Sequence, residues 1–405
     1  GGDARLSDEA FQMSVRVLHG VAMRLRALDG GDGLNVPAVV LAPLSRVWVA
    51  VGEQRRLQVA LTRMLSELMT PALLLSSTEA ICHLITAAVT EQVCVEAASP
   101  ASGAMSLVLL DTVAELWLKL IRAAATLSPA LLHLLPRAVA MVTVHKGPRE
   151  PMLRVLEAYL LLATPDVVAS SVGAMSEAIQ GAAHQMTTLE LRCALYVCEV
   201  STVLGPPDGW QQWAPLLLTG AEEVFYKNTN DALSAAWFSC VAAMTWRANS
   251  AAPLMQLIAH VNACRDALQC GAAARALLTD DHVTERWVES WDSLISLERR
   301  RLTCVALFAL LGAGFTAAAA RVVVMVSFAS EVAGEETDTP DTPPRALTAL
   351  QTARSQLACA TYNGLPGGLA TLVHTEIQKG REALRGALGD GAAAALDEQL
   401  SRVDP

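Results

Sequence analysis

The sequence predicts an all-α fold, an α-α superhelix built from helix pairs repeated along the chain. Three observations predict it. Apolar residues recur at spacings of three and four, the period of one helix face. Pairs of Ser or Thr with Pro recur where helices would begin. Aromatic residues are only 4% of the 405, although 53% are hydrophobic, so the apolar mass is Ala, Leu and Val. Closely packed helices accept Ala and Leu at their crossings, whereas a β-sandwich shows more aromatic and β-branched residues.

The elements follow in order. Ser7-Asp8-Glu9 opens a first helix with a cap and two acids at its positive end. Phe11, Val15, Leu18, Ala22 and Leu25 continue it as one stripe, and Asp29-Gly30-Gly31-Asp32-Gly33 ends it. From Glu53 to Met69 a second stripe of Leu57, Leu61, Leu65 and Leu68 predicts a buried face. Arg55, Gln58, Thr62 and Ser66 lie off that face. Thr70-Pro71, Ser128-Pro129 and Thr164-Pro165 each set a hydroxyl before a proline at the first helical position, where the missing N–H costs nothing. Longer breaks fall at Ser99–Gly103, Lys146–Pro148, Gly205–Gly209 and Asn249–Pro253. Their spacing suits HEAT or armadillo arrays, whose units run to about 40–47 residues. Val39–Leu41 and Val322–Val326 are β-branched enough to tempt as strands, but a lone strand cannot satisfy its backbone.

Composition excludes several classes. Charged residues are 17%, below the average of about 25%, and the chain is too hydrophobic to be disordered. A net charge of −10 argues against nucleic acid as partner and favours basic proteins. The only lysines are Lys119, Lys146, Lys227 and Lys379; with so much Ala, this reads as codon bias and carries no function. Gly1-Gly2 reads as a linker scar on a cut fragment, and no signal peptide is visible. Nine scattered cysteines, Cys82, Cys94, Cys193, Cys198, Cys240, Cys264, Cys270, Cys304 and Cys359, include no CxxC pair. They read as free thiols of a reducing cytosol, most of them buried.

Mean hydropathy is +0.37, so membrane insertion needs weighing. The worst stretch, Cys304–Ser330, holds one charge, Arg321. A spanning helix needs about 20 apolar residues, but Gly312-Ala313-Gly314 reads as a turn between two shorter helices, and no membrane insertion is expected.

Catalytic motifs are absent: there is no HExxH, GxSxG or GxxxxGK. Cys82-His83 is the only adjacent Cys/His pair; it reads as core on a buried helix, since a zinc site needs about four ligands. Gly312-Ala313-Gly314-Phe315-Thr316-Ala317 fits GxGxxA, and Glu331 follows 19 residues after Gly312. A dinucleotide site would also need a helix of about ten residues and a second strand; only Phe315–Ala320 separate the glycines from Arg321. The expectation is therefore no catalytic site, no cofactor and no metal. The acidic segment Glu331–Pro344 carries Glu331, Glu335, Glu336, Asp338 and Asp341 without a base, and Pro340, Pro343 and Pro344 forbid a regular helix. It reads as a solvated insertion, or as a hook for a basic partner through Glu335, Glu336, Asp338 and Asp341. Trp287 with Trp291, and Trp210 with Trp213, are spaced to share helix faces and read as core.

One stretch says more. From Trp287 the chain reads Trp-Val-Glu-Ser-Trp-Asp-Ser-Leu-Ile-Ser-Leu-Glu-Arg-Arg-Arg-Leu-Thr-Cys-Val-Ala-Leu-Phe-Ala-Leu-Leu, ending at Leu311. This resembles the late HEAT repeats of the importin-β (karyopherin) superfamily, with the importin eleven and importin nine branches the most similar. Trp287, Val288, Asp292, Glu298, Arg299, Arg300, Leu302, Ala306, Leu307, Leu310 and Leu311 fall on the pattern without a gap. Trp287 and Trp291 would pack on the next helix, Asp292 would cap its approach, and Glu298 would sit in its first turn. These residues are structural. Residues 1–311 then form the helix-pair array, and 312–405 the terminal repeats with an acidic, Pro-containing insertion at 331–344. The whole chain would be the C-terminal part of a longer protein.

The resemblance implies a HEAT-repeat solenoid that acts as the cargo-binding arch of a nuclear transport receptor shuttling between cytoplasm and nucleus. Its partners would be basic cargo such as ribosomal proteins, FG nucleoporins, and the Ran GTPase through missing N-terminal repeats. The alternative is a generic HEAT scaffold without a Ran link.

Overall fold

A computed structural model describes residues 54–98, 103–144, 147–206, 208–227, 231–264, 277–337 and 368–391, with a few isolated positions beyond them. Every regular element among the described residues is helical. The first helix expected at Ser7, and Val39–Leu41, lie outside them. The chain divides into two compact units: Gly1–Ala163 with Thr348–Leu350, and Thr164–Leu347 with Gln351–Pro405. The boundary expected at 311/312 falls inside the second unit.

The first unit contains α1 (Arg55–Leu68), α2 (Pro71–Ser76), α3 (Thr78–Ala88), α4 (Glu91–Ala98), α5 (Ala104–Ala123), α6 (Pro129–Val142) and α7 (Arg149–Leu162). Helix α5 is the centre. It packs on α1 and α7, while α6 lies on α7 and α3. Ser128 caps α6 as its sequence predicts, with its hydroxyl accepting the Leu131 N–H at 3.3 Å. Leu57, Leu61 and Leu65 are buried, but so are Gln58, Thr62 and Ser66. This corrects the expectation of a wet polar face. The stripe is covered and its polarity is met internally: Thr62 donates to the Gln58 carbonyl at 2.8 Å, and Lys119 of α5 donates to the Ser66 carbonyl at 3.0 Å. Trp117 of α5 meets Tyr159 of α7 edge-on, with ring centroids 6.4 Å apart. Its indole N–H donates to the Tyr159 oxygen at 3.1 Å, and Tyr159 in turn donates to the Leu131 carbonyl at 2.7 Å.

The second unit contains α8 (Pro165–Ala182), α9 (Thr188–Leu204), α10 (Ala214–Ala221), α11 (Asp231–Ala248), α12 (Ala252–Cys264), α13 (Asp280–Glu289), α14 (Leu297–Gly312), α15 (Thr316–Ala319), α16 (Val322–Thr337), α17 (Gly368–Lys379) and α18 (Arg381–Leu388). Helices α9, α11, α14 and α17 stack in sequence as one layer; α8 packs on α9, α12 on α11 and α16 on α14. Thr187 caps α9 in a reciprocal box with Glu190. Thr164 precedes α8 as expected, but its hydroxyl makes no cap bond. Gly314, at φ +81°, makes the expected turn after α14. Val322–Val326 open a helix, so the GxGxxA segment is followed by α15 and α16 and no strand. No helix among the described residues is long and apolar enough to cross a membrane.

Six of the long-range hydrogen bonds share a step of 40–45 residues, while others, such as Lys119–Ser66 at 53 and Gln180–Gln212 at 32, do not. Arg55–Glu96, Trp117–Tyr159, Leu195–Cys240, Gly205–Arg247, Asp281–Arg321 and Trp291–Glu331 are separated by 41, 42, 45, 42, 40 and 40 residues. That step matches HEAT units of about 40–47 residues better than 34-residue units.

The scarce aromatics concentrate in the second unit. After α10 the chain widens into a π-turn, Glu222–Lys227. It places Phe225 edge-on to Trp237 and Phe238, at 5.3 and 6.1 Å. Trp237 donates to the Leu217 carbonyl at 2.9 Å and lies against Gly220, where a Cβ would stand 2.6 Å from its ring. Gly220→Ala should therefore destabilise this unit by about 1–3 kcal/mol through overpacking. Tyr159→Phe should cost the first unit about 1–3 kcal/mol by stranding Leu131 and Trp117. Shifts in urea midpoints check both.

Candidate protein-binding surface

Helix α13 begins at a Thr279 cap, whose hydroxyl accepts the His282 N–H at 3.3 Å, with Asp280 and Asp281 in the first turn. Trp287 is fully buried and stacks on Phe238 of α11, centroids 5.3 Å apart. The helix ends two residues later. Trp291 stands in a separate 3-10 turn, Trp291–Ser293, and stacks on Phe328 of α16 at 4.0 Å. The two tryptophans are core, as expected, but they do not share a face. Trp210 and Trp213, in the turn Gly209–Trp213, are also buried.

The arginines after Glu298 fix α14. Arg299 donates to Glu199 of α9 at 2.7 Å, and its guanidinium lies 3.7 Å from the centre of the Tyr196 ring. Arg300 donates to the Leu294 carbonyl at 2.7 Å. Glu298 sits in the first turn and accepts from the Ser296 hydroxyl. Leu302, Ala306 and Leu310 form the expected buried stripe. Asp292 does not cap the helix: Ser296 holds the N-cap position and Asp292 is exposed. It leaves the helix end because the turn Trp291–Ser293 and an extended Leu294 intervene.

The solvent side of α13 is acidic. Asp281, Glu285 and Glu289 recur at i, i+4 and i+8, and all are exposed, as are Asp292 and Asp231. Arg286 is drawn between Asp231 and Glu289 at 3.1 and 3.3 Å, and Arg321 pairs with Asp281 at 2.6 Å. The Arg321 hydrogen bond holds Asp281 below the ordinary aspartate value. The carboxylates outnumber the bases here. The spacing 281/285/289 was readable as a helical acidic stripe.

Two bonds link these segments: Arg321, just before α16, donates to Asp281 of α13, and Trp291, just after α13, donates its indole N–H to Glu331 of α16 at 2.8 Å. The expected acidic loop therefore begins as helix. Glu331 is tied to Trp291, and Glu335 and Glu336 occupy the last turn of α16, because the helix-breaking prolines stand only beyond Thr337. Asp338 and Asp341 lie outside the described residues.

Cys82 is buried and pushed up to about 11 by burial and by Glu79, while His83 beside it is exposed and not core. Burial also pushes Cys240 and Cys304 up, so these thiols carry little thiolate near neutrality. No group of three or more His, Cys, Asp or Glu that could hold a metal occurs among the described residues.

A family model described as Importin-11-like, TPR repeats matches residues 92–356. The chain belongs to that family. Neither a curated protein nor a solved structure matches it. The importin-11-like match takes in the stretch Trp287–Leu311 and helices α13 and α16, and it places the repeat region in the importin-β superfamily.

Arg299→Met should destabilise the second unit by about 3–5 kcal/mol by leaving Glu199 buried and unpaired. Arg299→Met with Glu199→Leu should cost less than the single change, as urea midpoints would show. The Asp281–Arg321 pair should persist at neutral pH and be lost as pH falls through the lowered Asp281 value. In Arg321→Met, the NMR titration midpoint of Asp281 should rise.

Proposed function

We propose that the chain grips protein cargo as part of an importin-type nuclear transport receptor. Basic cargo, ribosomal-protein-like in charge, meets the acidic side of α13 and α16. FG nucleoporin segments dock in grooves between helices, and Ran-GTP remodels the array to release the load. The observation that carries this reading is the importin-11-like match over residues 92–356. The exposed carboxylates of α13, with Arg286 and Arg321 already paired, support the choice of a cationic cargo.

The mechanism is binding and release. Each repeat touches mainly its neighbours, so an array of this kind bends as a spring and offers a long surface. Carboxylates at the rim of such a surface accelerate encounter with a cation and lose that advantage as salt rises. Specificity then rests on apolar contacts made after encounter.

The test has two arms. Association of a fluorescent ribosomal protein with the chain is followed by stopped flow at low and high salt. Asp281→Asn/Glu285→Gln/Glu289→Gln, and separately Glu335→Ser/Glu336→Ser/Asp338→Ser/Asp341→Ser, should each slow it several-fold at low salt, with the difference shrinking at high salt. Ran loaded with a non-hydrolysable GTP analogue, added to the intact protein, should release the cargo, whereas Ran-GDP should not. Indifference to both forms of Ran would leave the generic HEAT scaffold as the better reading.

A further inference from the structure

A groove of about 680 Å3 runs between α8 and the segment that follows α9. One wall is a helical stripe, Pro165, Val168 and Val172, at i, i+3 and i+7. Leu204, the last residue of α9, and Pro206 face it. Leu204 is 36% exposed, a large apolar side chain left partly in water. At the floor the Ser201 hydroxyl donates to the Cys198 carbonyl at 2.9 Å. Arg247 pins the far side of the loop by donating to the Gly205 carbonyl, and Gln180 holds the near side by donating to the Gln212 carbonyl. The walls are thus set before any ligand arrives, and the volume lies in the range of about 300–1,000 Å3 typical of binding pockets.

Three features describe the occupant. The walls are apolar, so it brings apolar side chains. Asp208 is the one ionisable residue among those lining the groove, and it is exposed. Its charge is complemented by a cation next to those apolar groups. A second cleft of about 200 Å3, lined by Trp210, Leu257 and His260, also has Gln211 in its lining. Two clefts that share a lining residue suit a chain able to reach both better than one compact small molecule. Exposed amides of Gln211 and Gln212 there can both donate to and accept from a peptide backbone.

We infer that this groove binds an extended segment of a partner protein in which apolar residues at alternate positions are followed by a lysine or arginine that meets Asp208. In an extended chain, alternate side chains point to one side, which is what two adjoining apolar seats need. The inference stands on the groove itself and holds whether or not Ran or a basic cargo surface is involved.

Fluorescence anisotropy with the full chain tests it. Three labelled synthetic peptides of equal length are compared: alternating leucines ending in lysine, the same with norleucine for lysine, and a Phe-Gly repeat. Asp208 is exposed, so Asp208→Asn should leave the thermal melt unchanged; Leu204 is 36% exposed, and Leu204→Glu is compared at a temperature below its own melt. The lysine peptide should bind about fivefold tighter than the norleucine peptide, as one exposed charge pair allows. Asp208→Asn should erase that preference, and Leu204→Glu should weaken both leucine peptides at least tenfold. Absence of saturable binding by the leucine peptides would overturn the inference. So would indifference to Asp208→Asn, or tighter binding of the Phe-Gly peptide than of the lysine peptide.

Discussion

Helix α11 has almost no solvent side, and the second unit is arranged around that fact. Its residues Leu233 through Thr245 are buried without interruption. A helix apolar or small on every side must be enclosed, and α9, α14 and α12 enclose it. Small residues set the approach distances: Ser234, Ala235, Ala236, Ala242 and Ala243 let neighbouring backbones come close. Trp237 and Phe238 fill the space that remains, reaching Phe225 before the helix and Trp287 after it. Serine is tolerated there because its hydroxyl can bond back into the helix, as Ser239 does to the Ala235 carbonyl at 2.9 Å. Opening any one of these contacts exposes an apolar face of α11, so the neighbouring repeats support one another.

The same constraint explains what the sequence made legible. Features governed by local geometry were readable: the Ser128 cap, the turn at Gly312–Gly314, and the stripe Leu302, Ala306 and Leu310. Each depends on residues within one or two helical turns. Features governed by a second neighbour were not. Gln58, Thr62 and Ser66 looked wet because a helix at the surface has one dry face, whereas a helix inside a stack is covered on more than one. Val322–Val326 tempts as a strand by composition but is set aside, and Val322, Met325, Phe328 and Val332 do bury one helical face. Packing of the whole helix outweighed the β-propensity of its first turn. Trp291 could not be placed because the spacing of four from Trp287 assumed a helix that ends at Glu289. The acidic side of α13 was in plain view at helical spacing, but its meaning depended on where Arg286 and Arg321 turned.

Those arginines show how an acidic exterior arises in a chain with few charges. Arg299 and Arg300 are spent on Glu199, Tyr196, Trp291 and the Leu294 carbonyl. Arg149 is buried and donates to the Val142 carbonyl. Arginine suits these interior duties because its fork stays charged and satisfies several acceptors at once. Glu199 serves inside as well, as the partner of Arg299. Around α13 the arginines Arg286 and Arg321 are paired while Asp281, Glu285 and Glu289 stay exposed, so the local field met by an approaching cation is negative.

On α13 the two roles meet. Asp281 and Glu289 are both surface carboxylates and partners of Arg321 and Arg286, which bind α13 to α16 and α11. Exposed pairs of this kind contribute at most about 1 kcal/mol each. A cationic partner at Asp281 or Glu289 therefore competes with a contact that is cheap to break. Trp287 and Trp291 do not take part in that exchange: their stacking on Phe238 and Phe328 keeps α13 seated while its charges are shared with a partner. Aromatic stacking fixes the position of the helix, and the weak ion pairs on its outer side leave its charges available.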